Sequence, residues 1–100
     1  MKIDRTSKDG TVLVKVDGDI DYDSSRDFAD ELMCCVAAKQ PRVEIDMSGC
    51  RFINSAGLGA VAAAVAVARA RGGDVVLSGV SPSIRKLFAI TALDNIIEFK

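Results

Sequence analysis

The sequence contains no histidine, which is the side chain that most often serves proteins as a general base or a metal ligand. No pairing of a nucleophile with a base stands out among the remaining residues. The cysteines also lack the spacing of a zinc knuckle. We therefore expect neither an enzyme nor a metalloprotein, with no catalytic residues, no metal ligands and no cofactor.

A surplus of positive charge is missing as well, because 13 basic residues stand against 14 acidic ones and the net charge is −1. Without a basic excess the sequence gives no support for nucleic-acid binding. Tryptophan is absent, and one tyrosine and four phenylalanines are too few for a platform that stacks single-stranded bases. The sequence predicts no nucleic-acid partner.

Long hydrophobic runs are also lacking. The longest uncharged apolar stretch, residues 56–68, is shorter than the roughly 20 residues that span a bilayer. The N-terminal segment MKIDRTSKDG is polar and has no apolar core of the kind found in signal peptides. We expect no membrane association.

Three cysteines are present, and two of them, Cys34 and Cys35, are neighbours. On a helix their side chains would point about 100° apart, which does not suit a relaxed disulfide between them. Together with Cys50 they are expected to be reduced and to lie in a core or at its edge. Reduced cysteines fit a cytoplasmic location.

The length and composition are those of one ordinary globular domain. The chain has 100 residues, of which 49% are hydrophobic and 27% charged. Two alternating segments, KIDRT and TVLVKVD, flank Asp9-Gly10 and predict a β-hairpin. A stretch rich in turn residues, GDIDYDSS, follows, and either Asp23 or Ser24 can cap the next helix.

The first helix is predicted over residues 25–39, ending at Gln40-Pro41. Apolar residues at helical spacing define its buried face, namely Phe28, Leu32, Cys35 and Val36. The segment RVEIDM then alternates, which predicts a strand with Val43, Ile45 and Met47 pointing inward.

The second half of the chain repeats the alternation of helix and strand. A helix over residues 55–71 is expected to end at Gly72-Gly73, and DVVLSG reads as a short strand. Ser81-Pro82 starts a third helix, and NIIEF supplies a last strand. The order ββαβαβαβ predicts an α/β fold, one domain over residues 1–100, with a mixed sheet and its helices mainly on one face.

The start of the second helix, FINSAGLG, holds the most informative serine. A helix start has free N–H groups and a partial positive charge, so a phosphate on Ser55 would find a favourable site there. Gly57 and Gly59 would leave room for such a group, at a cost of about 1 kcal/mol each relative to alanine. The alternative is structural: Asn54 and Ser55 are both ordinary capping residues, and the glycines serve close packing.

No polar side chain follows in this helix from Gly57 to Ala68. Leu58, Val61, Val65 and Ala62 can serve the core, whereas Val67 and several alanines are expected to face elsewhere. One interpretation is that alanine is the best helix former and is cheaply exposed. The other is a smooth apolar ledge on which a second protein docks.

At this point the residues resemble a known family. FINSAGLG is similar to the signature of the STAS-domain anti-sigma-factor antagonists of bacterial partner-switching systems. That signature is an apolar pair, Asp-Ser, a small residue and Gly-Leu-Gly. The resemblance continues through GDID, VEIDMSG and GGDVVLSGVSPSIRKLFAITALDNII, which together cover nearly the whole chain in the right order.

The resemblance implies a cytoplasmic protein, a monomer when free, whose serine is phosphorylated by an anti-sigma serine-protein kinase. A PP2C-type phosphatase removes the phosphate. The unphosphorylated form binds the kinase and releases its client, a sigma factor or another regulator. On this sequence the phosphorylation site is Ser55, and Asp46 is an acidic residue near it. The implied partner-binding residues are Asp21, Asn54, Ala56, Gly57, Leu58 and Gly59.

One position departs from the family pattern, because Asn54 stands where aspartate is usual. Asparagine keeps the capping function and removes a negative charge beside the acceptor, which can change phosphorylation and dephosphorylation rates in either direction. Ala56 replaces a frequent second serine, so Ser55 is the only acceptor in this motif.

Two other functions remain open from the sequence. A constitutive, non-phosphorylated STAS scaffold in a transport or signalling assembly would use Ser55 only as a cap. A small hydrolase acting on phosphate esters or acyl phosphates is permitted by size, but the missing histidine and the incomplete phosphate-loop pattern speak against it.

Overall fold

The chain opens with a hairpin, β1 (Lys2–Lys8) and β2 (Thr11–Asp17), joined by Asp9 and Gly10. Both turn residues have positive φ, 54° and 81°, as a two-residue type I′ turn requires. The computed structural model describes residues 1–100, and it confirms the hairpin that the Asp-Gly pair predicted.

The other elements follow in the predicted order. They are α1 (Ser25–Cys35), β3 (Arg42–Gly49), α2 (Ser55–Ala70), β4 (Asp74–Ser78), α3 (Pro82–Ile90), a 3-10 helix (Leu93–Asn95) and β5 (Glu98–Phe99). The five strands form one sheet in the order β1-β2-β3-β4-β5, antiparallel between β1 and β2 and parallel elsewhere. The predicted mixed sheet and element order are therefore confirmed.

One face of this sheet carries the core. Val43, Ile45 and Met47 of β3 are at most 3% exposed, as the alternation in RVEIDM predicted. They belong to a cluster of 23 buried residues to which all three helices contribute. The opposite face, which includes Glu44 and Asp46, is only half-buried. The helices therefore cover a single face of the sheet.

The first helix is shorter than predicted. It ends at Cys35 instead of residue 39, and the amide of Ala37 already bonds to the Cys34 carbonyl in a tight turn. The reason lies in the tertiary structure: Asp74 N donates to the Pro41 carbonyl at 2.9 Å, and any side chain at Gly73 would collide with the Pro41 backbone. The chain has to leave the helix early to bring Pro41 to this contact.

The last strand is also shorter than predicted. NIIEF was expected to be extended throughout, but only Glu98 and Phe99 pair with β4. Asn95 closes the 3-10 helix, which starts after Ala92 at φ 60°. Phe99 packs edge-on against Phe88 at 5.6 Å between ring centres, and the Arg85 guanidinium lies over the same ring at 4.5 Å from its centre. Side-chain contacts with α3 therefore help to hold this short strand.

The three cysteines are free. Cys35 and Cys50 are buried, as the sequence predicted, whereas Cys34 is exposed. Burial raises the pKa of the Cys35 and Cys50 thiols. None of the helices combines the length and apolar character that crossing a bilayer requires.

Candidate functional site at the carboxyl edge of the sheet

Each helix follows a strand of the parallel part of the sheet and starts at the edge where that strand ends. We call this the carboxyl edge; it holds the loops of residues 18–24, 50–54 and 79–81. In open α/β sheets this edge is where ligands and partners usually bind, because loops and helix N-termini meet there. Ser55 and most of the other predicted site residues lie at this edge.

Two of these loops are held together by the main chain. Ile20 N donates to the Phe52 carbonyl and Asn54 N donates to the Ile20 carbonyl, both at 2.9 Å. Ile20 and Ile53 form a parallel β-bridge, and their side chains are 0% and 1% exposed. The loop before α1 and the loop before α2 therefore form one rigid platform.

At the start of α2 the helix is capped by Asn54 and not by Ser55. Asn54 has extended backbone angles, and its Oδ1 accepts a hydrogen bond from Gly57 N at 2.8 Å. Ser55 is the first helical residue and is exposed, so its hydroxyl is not needed as the cap. Of the two capping candidates that the sequence left open, the structure selects Asn54.

The environment of the Ser55 hydroxyl is suited to an anion. The amides of Ser55 and Ala56 donate to no backbone acceptor, and the helix start adds a partial positive charge of about half a unit. The sequence predicted free amides at this helix start. The amide of Gly57 is used by the Asn54 cap, so those of Ser55 and Ala56 are the ones that stay free. A charged group on this oxygen would meet two donors.

The two glycines of this helix start have different surroundings. A Cβ on Gly57 would lie 2.7 Å from Ile53 Cγ1 and 2.8 Å from Ile20 Cγ2, so Gly57 is required for packing. A Cβ on Gly59 would meet nothing within 4 Å. Close packing within the protein therefore explains Gly57 and does not explain Gly59.

The exposed face of α2 is a stripe of small residues. We call it the ledge; it comprises Ala56, Gly59, Ala63, Ala66 and Ala70. Their spacing of three and four residues places them in a row that begins beside Ser55. The expectation that Val67 also faces outward is wrong, because Val67 is half-buried against the core. The exposed alanines are confirmed.

Asp21 holds the loop before α1 in shape. Its Oδ1 accepts hydrogen bonds from the amides of Asp23 and Ser24 at 3.1 Å and from the Ser24 hydroxyl at 3.0 Å. The Ser24 hydroxyl, followed by the Ser24 amide, holds the pKa of Asp21 below its usual value. Ser24 stands at the cap position of α1 but makes no capping bond with its side chain, contrary to one sequence expectation.

Asp46 lies on the half-buried sheet face, on the other side of β3 from the core. Its Oδ1 accepts from Ser48 N at 2.9 Å, and this backbone bond lowers the pKa of Asp46 despite partial burial. Asp46 makes no hydrogen bond to α2 or to the loop before it. Its visible task is to shape the end of β3 through the Ser48 amide.

The predicted phosphorylation site and partner-binding residues divide by burial. Asp21, Ser55, Ala56 and Gly59 are exposed at the same edge, and Asn54 is half-buried beside them. Gly57 and Leu58 are buried, so they present no side-chain surface to a partner and position the helix start instead.

Two exposed aromatic residues on the platform were missed by the sequence analysis. Tyr22 is 90% exposed and Phe52 is 47% exposed, and each belongs to one of the two paired loops. The available signal was their position, because both lie in loop sequence outside the periodic apolar segments. Tyr22 stands between two aspartates in a run of turn residues.

The main cavity, of about 290 Å³, is remote from this edge. It opens at the amino ends of the strands, where Thr11, Arg42 and Asp74 begin β2, β3 and β4. Glu44 lies in it and accepts hydrogen bonds from the Lys100 ammonium and the Ser78 hydroxyl, both at 2.8 Å. These two bonds, that of Lys100 more than that of Ser78, lower the pKa of Glu44. These bonds satisfy both carboxylate oxygens, and the cavity holds no nucleophile–base pair.

Comparison with known proteins agrees with this architecture. The family described as Mlab, STAS domain matches residues 3–98. An anti-sigma factor antagonist from Mycobacterium paratuberculosis is 25% identical, with a TM-score of 0.86 over 98% of this chain and 83% of that one.

Two further structures share the fold at lower identity. An anti-sigma-factor antagonist (STAS) domain protein from Planctomyces limnophilus has a TM-score of 0.84 at 18% identity, covering 97% of this chain and 87% of that one. The Bacillus cell fate determinant SpoIIAA in its phosphorylated form has a TM-score of 0.75 at 18% identity, covering 99% and 91%. With the family match spanning almost every residue, the chain belongs to the STAS-domain family.

Proposed function

We propose that this protein is an anti-sigma-factor antagonist that is switched by phosphorylation of Ser55. In its unphosphorylated form it binds an anti-sigma serine-protein kinase and releases that kinase's client, a sigma factor or another regulator. A PP2C-type phosphatase resets the switch. The protein itself acts by binding and performs no catalysis.

The observation that carries the proposal is the placement of the Ser55 hydroxyl. It is exposed at the first residue of α2, Asn54 performs the capping, and two amides beside it remain free. A kinase can reach this oxygen, and the helix start can tolerate the charge that it acquires. Phosphorylation therefore requires no change in the fold.

The effect on a partner would be large. Phosphate adds about −1.5 to −2 charges at neutral pH, directly at the head of the uncharged ledge. Burying such a charge without a partner costs several kcal/mol, which is enough to reverse a choice between two binding states. The ledge beside Ser55 can thus accept a partner before modification and reject it afterwards.

The similar structures support a switch by phosphorylation. The structures similar to this chain include anti-sigma factor antagonists, one of which, SpoIIAA, is known in a phosphorylated form. Asp46 is proposed to act near the site only indirectly, by shaping the end of β3 through Ser48. The exposed predicted residues Asp21, Ala56 and Gly59 are proposed to face the kinase.

The direct test is phosphorylation of the purified chain by the anti-sigma serine kinase of the same organism with ATP, followed by mapping of the phosphate by mass spectrometry. We expect modification of Ser55 and none in Ser55→Ala. In calorimetry, Ser55→Asp is expected to weaken kinase binding at least about tenfold, or ~1.4 kcal/mol.

A matched control is available in α3. Ser83 is exposed in the first turn of that helix, so Ser83→Asp adds the same charge at another helix start. We expect Ser83→Asp to bind the kinase normally, with unchanged circular dichroism in both variants. Equal binding by wild type and Ser55→Asp, with no phosphorylation of either, would favour the constitutive scaffold instead. Full phosphorylation of Ser55→Ala would show that the acceptor is another residue.

A further inference from the structure

The side chains of two exposed aromatic residues of the platform, Tyr22 and Phe52, have no role in the fold or in the proposed switch. Tyr22 and Phe52 are among six large hydrophobic residues that are exposed. Phe28 and Phe88 are fully buried, and Phe99 packs on Phe88, so the remaining aromatic side chains serve the core. Both exposed rings lie on the two loops that the Ile20–Phe52 and Asn54–Ile20 hydrogen bonds join.

Both aromatic residues are displayed by rigid backbone. Tyr22 is the residue after Asp21, whose carboxylate closes the turn around it through Asp23 and Ser24. Phe52 is anchored by its own carbonyl, which accepts from Ile20 N at 2.9 Å and from the Cys50 thiol at 3.2 Å. A ring held on fixed backbone loses little conformational freedom on binding, which favours affinity.

The loop before α1 carries mostly negative charge, although the N-terminal residue Met1 lies against Gly18 in this loop. Asp17, Asp19, Asp21 and Asp23 are all exposed within seven residues that contain no basic side chain. In the adjoining loop the only charged side chain is Arg51, whose amide donates to Asp19 Oδ1 at 3.4 Å. The platform is therefore acidic although the chain as a whole has a net charge of only −1.

This acidity identifies the kind of occupant. A second copy of this chain would bring the same carboxylates to the contact, and nucleic acid or an anionic membrane surface would be repelled as well. A protein with an apolar pocket rimmed by lysine or arginine would complement both the rings and the carboxylates. Aromatic residues at the centre of an interface with a charged rim are the usual arrangement of binding hot spots.

We propose that Tyr22 and Phe52 are the aromatic anchors of the docking surface, received by an apolar pocket with a basic rim on the partner protein. The inference rests on the proposed function in that the partner is the anti-sigma kinase. It adds that the two rings supply a large share of the affinity, whereas Ser55 supplies the switch.

The first test measures kinase binding by calorimetry. Phe52→Ser and Tyr22→Ser are each expected to raise the dissociation constant for the kinase at least about tenfold. Tyr22→Phe, which keeps the ring, is expected to bind as tightly as the wild type. Ile90→Ser is the matched control, because Ile90 is 69% exposed at the far end of α3. It should bind normally. Thermal unfolding of each variant verifies that the fold is retained.

The second test uses the fact that Tyr22 is the chain's single tyrosine. A chain labelled with 3-fluorotyrosine gives one ¹⁹F resonance, which reports on this ring alone. Adding unlabelled kinase should shift or broaden the resonance, and the labelled chain alone should show no concentration dependence. Self-association detected in that way would overturn the assignment of a basic partner.

The outcomes separate the two proposals. Normal binding by Phe52→Ser and Tyr22→Ser, with Ser55→Asp still defective, overturns the anchors and leaves the switch standing. The reverse pattern, with both ring variants defective and Ser55→Asp normal, overturns the switch and leaves the anchors standing. A wild-type chain that binds no such kinase overturns both.

Discussion

The starts of α2 and α3 lie at the same edge of the sheet and use their serines in different ways. In α3, Ser81 is itself the cap, and its Oγ accepts a hydrogen bond from Ile84 N at 3.3 Å. In α2, Asn54 performs this task and Ser55 follows one residue later, with its hydroxyl left over. One serine stabilises its helix, whereas the other is available for chemistry.

The difference shows that a serine at a helix start says little by itself. What matters is whether another side chain already satisfies the first amides, because only then can the hydroxyl be modified without loss of the cap. The α2 start also contains Gly59, which has open space around it and no internal reason to be glycine. In α3, Pro82 occupies the first turn and favours helix initiation.

The largest expected effect on stability comes from replacing each of the two glycines of α2 by alanine. Gly57→Ala should destabilise the chain by about 1–2 kcal/mol, because overpacking against Ile20 and Ile53 outweighs the gain in helix propensity. Gly59→Ala should stabilise it by about 1 kcal/mol while weakening kinase binding. Urea unfolding with calorimetry measures both, and equal stability effects of the two changes would contradict the distinction.

The capping difference itself predicts a smaller effect. Ser81→Ala should cost about 1 kcal/mol of unfolding free energy, because a capping hydrogen bond is lost. Ser55→Ala should change stability by less than about 0.5 kcal/mol, as an exposed residue without a capping role. Chemical unfolding of the two variants side by side is sufficient. A larger loss of unfolding free energy in Ser55→Ala than in Ser81→Ala would contradict these assignments, because Ser55 would then be the more important capping residue.

The smallest effect concerns Asn54. Asn54→Asp keeps the cap and adds a negative charge to the helix start, which should stabilise the chain by a few tenths of a kcal/mol up to about 1 at low salt. The carboxylate would have a lower pKa in the folded than in the unfolded chain. The gain should therefore be present above about pH 4 and be lost as pH falls through the folded pKa. Unfolding measured at pH 7 and pH 3 tests this, with Asn54→Ala as the variant that loses the cap.

Local sequence signals predicted most of the fold. The Asp9-Gly10 turn, the alternation in β3 and the Ser81-Pro82 start of α3 act within a few residues, and all three were read correctly. The end of α1 was not, because residues 37–39 are good helix formers. What stops the helix is the contact between Pro41 and Gly73, which are 32 residues apart in sequence.

The candidate site was predictable in its centre and less so in its surroundings. The motif around Ser55 located the start of α2, but the burial of Gly57 depends on Ile20 and Ile53, which come from two different loops. The loop positions of Tyr22 and Phe52 were consistent with exposure, but their placement on one platform could not be read from the sequence. It follows from how the two loops are joined, and no local pattern encodes that pairing.

The ledge on α2 has a consequence for genetics. Its alanines touch solvent and contribute little to the core, so replacing them with polar residues should leave the amount of folded protein in the cell unchanged. A mutational survey scored by protein abundance would pass over them. The same survey scored by complex formation should identify them as sensitive positions in one row along the helix. Positions sensitive only in the second survey would then delimit the proposed interface.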